Sequence, residues 1–163
     1  MPGNSLVLFI IDDDSAAMHS LKNFVERKYP GIEVATFGSG ESALVELHRK
    51  PDVIVLDYHL KNEKEELNGI EILKRIKDLL PHTPIIFMSD DDHENVAANI
   101  VKYGAYDYIV RGSGAYQRLE IMINNATGHL SLHRQIRVQR IFNIVFILLL
   151  FIAFAAIFLD RYF

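Results

Sequence analysis

The stretch LVLFIIDDDSAAMHSL, Leu6 to Leu21, decides the fold. It opens with six apolar residues in a row, the length of one strand, and that run stops at three consecutive aspartates. Ser15 follows, and then Met18, Leu21, Phe24 and Val25 fall at the spacing of a helix that buries a single stripe. Pro30-Gly31 stops that helix. A strand that runs through a polar turn into a helix is the unit from which parallel α/β sheets are built.

The same unit recurs along the chain. Ile32–Phe37 reads as a second strand, and Gly38-Ser39-Gly40 turns into a helix around Ala43, Leu44 and Leu47. Val53–Leu56 is wholly apolar, as a strand buried on both faces must be. Asn68-Gly69 opens a third helix carrying Ile70, Leu73, Ile76, Lys77 and Leu80, and Pro81 and Pro84 close it before a fourth strand, Ile85–Met88. A fourth helix over about Glu94–Tyr103 carries Val96, Ile100 and Val101 and ends at Gly104. Tyr108–Val110 is the fifth strand, and a fifth helix runs from about Ser113 towards Ala126, where Gly128 interrupts the pattern. Five strands alternating with five helices predict a doubly wound α/β domain. Right-handed crossovers favour the flavodoxin-like strand order 2-1-3-4-5.

The 163 residues suffice for one ordinary domain. Seventeen basic against 21 acidic residues give a net charge of −4, which argues against a broad nucleic-acid-binding surface. The absence of cysteine removes thiol catalysis, disulfides and thiolate-held metals. Charge is unevenly spread. Residues 1–112 carry 12 basic and 19 acidic groups, whereas residues 113–163 carry 5 and 2.

The basic segment ends in Ile141–Leu159, nineteen residues of which only Asn143 is not apolar. As a helix this run is about 28 Å long, close to the ~30 Å hydrocarbon core of a bilayer. Its fifteen Leu, Ile, Phe and Val residues are together worth roughly −5 to −9 kcal/mol of insertion free energy. A helix apolar on every side needs apolar surroundings on every side, so a transmembrane anchor is expected over a buried core or oligomerisation helix. Arg134, Arg137 and Arg140 precede the run and Arg161 alone follows it, which holds the N-terminal side in the cytoplasm. With His129 and His133 these arginines form a basic juxtamembrane linker, either a solvated helix or a surface for anionic head groups. The expected organisation is a domain over 4–127, a linker over 128–140 and a single-pass anchor over 141–159. The same residues also fit a longer protein in which 141–159 is the first of several spans.

In open α/β sheets the site lies beyond the carboxyl ends of the strands. There the sequence places Asp12, Asp13 and Asp14 after the first strand, Asp57 after the third, Ser89 after the fourth and Arg111 after the fifth. Carboxylates brought this close stay ionised only beside a cation, and a donor set of oxygens without His or Cys favours a hard ion, Mg²⁺ above all. A carboxylate next to Mg²⁺, with a hydroxyl and a guanidinium opposite, can accept a phosphoryl group. Each residue also has a plainer reading. Asp13, Asp14 and Ser15 can cap the first helix, Asp57 can be a turn residue and Arg111 a surface charge; it is their joint placement that points to a site.

Residues 4–127 resemble the receiver domain of bacterial two-component response regulators. The resemblance rests on LVLFIIDDDSAAMHSL, DVIVLDYHL, NGIEILKRIK, PIIFMSD and YGAYDYIVR, in family order and at nearly family spacing. It implies that Asp57 is the phosphoacceptor, supplied by a histidine kinase or a phosphotransfer protein. It further implies that Asp13 binds Mg²⁺ directly, Asp12 through water, and His59 through its backbone carbonyl. Ser89 matches the switch hydroxyl and Tyr108 the switch aromatic, with Tyr103 and Tyr106 flanking it on a surface that receivers use for partners. Such a domain is a phosphoacceptor that assists its own phosphorylation and dephosphorylation rather than an enzyme acting on other substrates.

The chain departs from the pattern in four places. Arg111 stands where the family has lysine, Gly112 where a proline preceded by a cis peptide usually follows, and Asp90 where a small residue follows the hydroxyl. The link from Asp57 to Gly69 is longer than usual and carries the charged run Lys61–Glu66. Two other readings compete. Asp12-Asp13-Asp14-Ser15 also fits the DxDx motif of haloacid-dehalogenase-like phosphatases, with Asp12 as nucleophile and Asp14 as general acid, but that leaves Asp57 idle. A degenerate receiver serving as a constitutive membrane scaffold is the other. With little chain after the receiver besides linker and anchor, the expected outputs are partner recruitment at the bacterial cytoplasmic membrane, a phosphate sink or relay step, or homodimerisation that alters anchored neighbours.

Overall fold

The computed structural model describes residues 6–60, 68–90, 99–128 and 146. In chain order the elements are β1 (Leu6–Ile11), α1 (Ser15–Lys28), β2 (Ile32–Phe37) and α2 (Gly40–Val45), which tightens into a 3₁₀ turn over Glu46–Arg49. Then come β3 (Val53–Asp57), α3 (Gly69–Leu79) and β4 (Ile85–Ser89), a helical segment α4 over residues 99–102, β5 (Asp107–Val110) and α5 over residues 115–128. The strands form one sheet in the order β2-β1-β3-β4-β5, all parallel. This is the flavodoxin-like arrangement that alternating strands and helices predict.

Helix starts sit where the sequence marks them. Asp14 caps α1 by accepting the N–H groups of Ala16 and Ala17 at 2.8 and 3.3 Å. Asn68 and Glu71 form a reciprocal capping box at the start of α3, so two otherwise orphaned donors are satisfied at once. Helix α1 ends at Tyr29, just before Pro30-Gly31.

Strand alternation divides the core in two. Phe9, Ile11, Ile54, Leu56, Ile85, Phe87 and Tyr108 pack with α2, α3 and α4. Leu8, Ile10, Val53, Val55, Ile86, Met88 and Ile109 pack on the other face with Leu21 and Val25 of α1 and Leu119 and Ile123 of α5. Both β3 and β4 are buried along their whole length, as their unbroken apolar runs require.

The chain divides after Thr127 into two units, and the sheet lies in the first. Among the described residues no helix is long and apolar enough to cross a membrane. The expected anchor over 141–159, apart from Phe146, and the linker beyond Gly128 lie outside the described residues, as do 61–67, with the whole charged run after Asp57, and the expected first turns of the fourth helix.

Candidate phosphoacceptor site

Because the strands are parallel, their carboxyl ends share one edge of the sheet, and there the polar residues gather. Asp12 follows β1, Asp57 ends β3, Ser89 ends β4 and Arg111 follows β5. Asp12, Asp13 and Asp57 each offer an oxygen within 4.8 Å of the others, with Asp12 and Asp57 buried and Asp13 half-buried. Alternation sorts the groups further: Asp12, Asp57 and Arg111 continue the pleat of Ile10, Val55 and Ile109, towards α1 and α5, whereas Ser89 continues the pleat of Phe87, on the Tyr108 side.

Backbone donors fix the carboxylates. The Asp14 N–H donates to Asp12 Oδ1 at 2.9 Å and the His59 N–H to Asp57 Oδ2 at 3.0 Å. The opposite oxygens are taken by Arg111, whose Nη2 donates to Asp12 Oδ2 at 2.5 Å and to Asp57 Oδ1 at 3.1 Å. The Arg111 backbone is itself held in place, its N–H donating to the Ser89 carbonyl at 2.7 Å.

Burial and the neighbouring Asp12 charge push the Asp57 carboxyl above the usual aspartate range; Arg111 and the His59 N–H pull it back only in part. The Arg111 pKa is raised too, which here favours the charged form: burial disfavours its charge, but the bonds and charges of Asp12 and Asp57 outweigh that. Three carboxylates that can each bring an oxygen within 4.8 Å of the others form an oxygen-only donor set, which fits a hard divalent ion such as Mg²⁺.

Ser89 is fully buried at the end of β4. Tyr108 is buried as well, packed in the cluster that contains Phe87, Ile100 and Ala105. His59 reaches Asp57 through its N–H and lays its ring edge-on to Tyr58, with the centroids 4.8 Å apart. Tyr103 and Tyr106 are 46% and 40% exposed, and the Lys74 ammonium lies 4.5 Å from the Tyr103 ring centroid. Asp90 is exposed. Asp14, which the hydrolase alternative needs as a general acid, instead holds the start of α1.

Gly112 has φ near +143°, a backbone that proline, fixed near −65°, cannot adopt, and no peptide among the described residues is cis. A cavity of about 230 Å³ opens beside Arg111, lined by Met88, Gly112, Ala115 and Tyr116 together with Arg111 itself. Sequence reasoning missed this cavity, and it missed that Arg111 would grip Asp12, a residue 99 positions earlier in the chain.

This arrangement of carboxylates, hydroxyl and cation at the carboxyl edge of a 2-1-3-4-5 sheet is that of a phosphoacceptor domain. Residues 8–124 match the family of response regulator receiver domains, and the chain belongs to that family. Among curated proteins it is similar to the luminescence regulatory protein LuxO of Vibrio campbellii, 33% identical over 97 residues, which are 59% of this chain and 20% of that protein. It is also similar to the nitrogen assimilation regulatory protein NtrX of Azorhizobium caulinodans, 30% identical over 131 residues, 80% of this chain and 28% of that protein. The match thus spans only 20% and 28% of these two relatives. Among solved structures, a response regulator receiver domain protein from Clostridium thermocellum superposes with a TM-score of 0.66 at 31% identity, covering 78% of this chain and 98% of that one.

Proposed function

We propose that this chain is a membrane-anchored receiver that takes a phosphoryl group on Asp57 from a histidine kinase or phosphotransfer protein, and that it signals through partner contacts rather than by binding DNA. The observation that carries the reading is the convergence of Asp12, Asp13 and Asp57 within 4.8 Å, with Arg111 bound to two of them. In the transfer an Asp57 oxygen forms the new bond to phosphorus as the bond to the donor imidazole nitrogen breaks, and the electron pair returns to the imidazole.

Asp13, Asp57 and the His59 carbonyl would hold Mg²⁺ directly and Asp12 through water. The ion, when bound, neutralises charge on the phosphoryl oxygens. The His59 N–H orients Asp57, and Arg111 supplies a fixed positive charge facing the site. Ser89, at the end of the neighbouring strand, donates a hydrogen bond to the phosphoryl group, and Tyr108, already packed inward, stabilises the switched state.

Anchoring rests on Ile141–Leu159, with the basic residues before it placing the receiver on the cytoplasmic side of the bacterial membrane. Tyr103 and Tyr106 offer an aromatic surface for the partner that reads the signal.

Labelling of the full chain with acetyl phosphate, or trapping with beryllofluoride, followed by peptide mapping tests the central claim. The modified peptide is expected to contain Asp57. Modification at Asp12 would revive the phosphatase alternative, and no Mg²⁺-dependent modification at all would leave a scaffold.

A further inference from the structure

Parallel strands joined by helices give the sheet two unlike edges. Helices α1, α3 and α4, and the 3₁₀ turn after α2, all end at the amino edge, where the turns 29–31, 50–52, 80–84 and 103–106 lead into the next strands. Helix α5 returns to the same edge. The Tyr29 hydroxyl donates to Asn124 Oδ1 at 2.9 Å, and the Lys28 ammonium lies 3.0 Å from the Glu120 carboxylate, so the last turns of α5 stand beside the end of α1. The chain therefore passes Gly128 at the edge opposite Asp57.

Residues 1–112 are acidic as a whole, with 12 basic and 19 acidic groups, but this edge is not. The last two residues of each helix or 3₁₀ turn, with the turn that follows, supply Arg27, Lys28, Arg49, Lys50 and Lys102 against Asp52 and Asp78. Lys28 and Arg49 are engaged with Glu120 and Glu33, whereas Arg27, Lys50 and Lys102 are exposed. Cations at helix carboxyl ends suit the helix dipole, which accounts for their presence there but not for the apolar groups among them. Leu79, Tyr103 and Tyr106 are 65%, 46% and 40% exposed at the same edge. Leucine and tyrosine left open beside lysine and arginine suit a headgroup layer, where the rings sit at the interface and the cations meet lipid phosphates.

Thirteen residues lead from Gly128 to the apolar run that begins at Ile141, at most about 45 Å of chain. With that run in a bilayer, so short a tether gives this edge a high effective concentration at the membrane surface, and a few weak contacts suffice to hold it. We infer that the amino edge docks on the anionic headgroups of the membrane that holds the anchor. Arg27, Lys50 and Lys102 meet the lipid phosphates, Leu79, Tyr103 and Tyr106 enter the interface, and the acidic Asp57 edge faces away from the bilayer, open to the phosphodonor. The docking rests on the anchored reading above and adds an orientation to it. Bilayer and signalling partner then compete for Tyr103 and Tyr106, so that binding of the partner lifts this edge.

The test uses the full chain in nanodiscs of phosphatidylcholine, alone or mixed with phosphatidylglycerol, each carrying a headgroup-spin-labelled lipid as quencher. The chain has no cysteine, so His82→Cys places a fluorophore on the amino edge and Ser42→Cys places one in the first turn of α2, on the carboxyl edge. Quenching at position 82 is expected to be several-fold stronger in anionic than in neutral discs, and to lose that excess in 1 M salt, where the Debye length is about 3 Å. Quenching at position 42 is expected to stay weak throughout. Adding Arg27→Gln, Lys50→Asn and Lys102→Gln should abolish the excess at position 82; asparagine suits the left-handed backbone of Lys50, whose φ is 53°. If that variant fails to fold, the salt response decides the same point. Equal quenching at the two positions, stronger quenching at position 42, indifference to anionic lipid or to salt, or an excess that survives the three substitutions overturns the docking. So does quenching at position 82 that needs two chains in one disc, which would assign the edge to a second copy. In all these cases co-purification of the chain with the discs leaves the anchored reading standing, and Mg²⁺-dependent labelling of Asp57 leaves the receiver reading standing. A chain that does not co-purify with the discs overturns the anchor and the docking together.

Discussion

The two ends of the sheet handle buried polarity in opposite ways. At the amino end three half-buried polar side chains meet the backbone: Asp52 accepts the Val7 N–H at 2.9 Å, Thr83 donates to the Pro51 carbonyl at 3.2 Å, and Lys77 donates to the Thr83 carbonyl at 2.9 Å. These contacts tie loops to strands and bring no two like charges together. At the carboxyl end like charges are gathered instead, and a single arginine holds them. The difference teaches where stability has been given up. Repulsion between carboxylates lowers stability in the absence of a ligand, and a group that binds the folded state regains it.

The largest effect that separates the two ends is expected from Asp57→Asn. Labelling by acetyl phosphate should vanish, yet the metal-free protein should become more stable, because burial and the Asp12 charge disfavour the Asp57 carboxylate. The sign follows from the raised Asp57 pKa: the fold favours the protonated carboxyl, so wild type gains stability as pH falls through the folded-state pKa and loses it as pH rises. Thermal melts in EDTA should therefore show wild type below Asp57→Asn at neutral pH and converging with it in mild acid. Added Mg²⁺ should raise the melting temperature of wild type alone. A metal-free Asp57→Asn that melts lower than wild type would mean that the carboxyl end is not strained at all.

Gly69→Ala sharpens the comparison next. A Cβ there would sit 3.0 Å from the backbone oxygens of both Asp57 and Tyr58 and 3.1 Å from Phe87 Cε1. Backbone cannot give way as a flexible side chain can, so a loss of about 1–3 kcal/mol is expected. Because the pressure falls on Asp57, the proposed phosphoacceptor, the labelling rate should drop too. Denaturant melts and a labelling time course check both.

A smaller and purely structural effect is expected from Asp14→Ala. It removes the α1 cap at a typical cost of about 1 kcal/mol and leaves labelling of Asp57 unchanged, although Asp14 adjoins two members of the cluster.

These cases also mark how much was legible in the residues. The apolar runs gave β1 and β2 to the residue, but β3, β4 and β5 each extend by one polar residue, to Asp57, to Ser89 and from Asp107, because ladder hydrogen bonds belong to the backbone and continue past a change in side-chain polarity. The tightening of α2 into a 3₁₀ turn carries no composition signal, since Glu46, Leu47, His48 and Arg49 suit an α-helix equally well. At the site, chain order placed the aspartates and Arg111 at one edge through topology alone. It could not assign Asp14 rather than Asp13 as the cap, nor show that Arg111 joins Asp12 to Asp57, because those choices depend on side-chain geometry.

The smallest expected effect tests the quiet end. Burial lowers the Lys77 pKa, since its partners are neutral carbonyls that do little to support the charge. A lysine depressed in the folded state binds fewer protons there than when unfolded, so its contribution to stability grows as pH rises through the folded pKa towards the unfolded value near 10.4. Lys77→Met should therefore lie close to wild type at neutral pH and fall behind it in moderately alkaline solution, while Mg²⁺ binding and Asp57 labelling stay as they were. Melts between neutral and alkaline pH distinguish this from the carboxyl end, where the corresponding substitution, Asp57→Asn, gains its advantage in passing from acid to neutral. If Lys77→Met altered Mg²⁺ binding, the two ends of the sheet would be coupled, and the amino end could no longer be regarded as separate from the site.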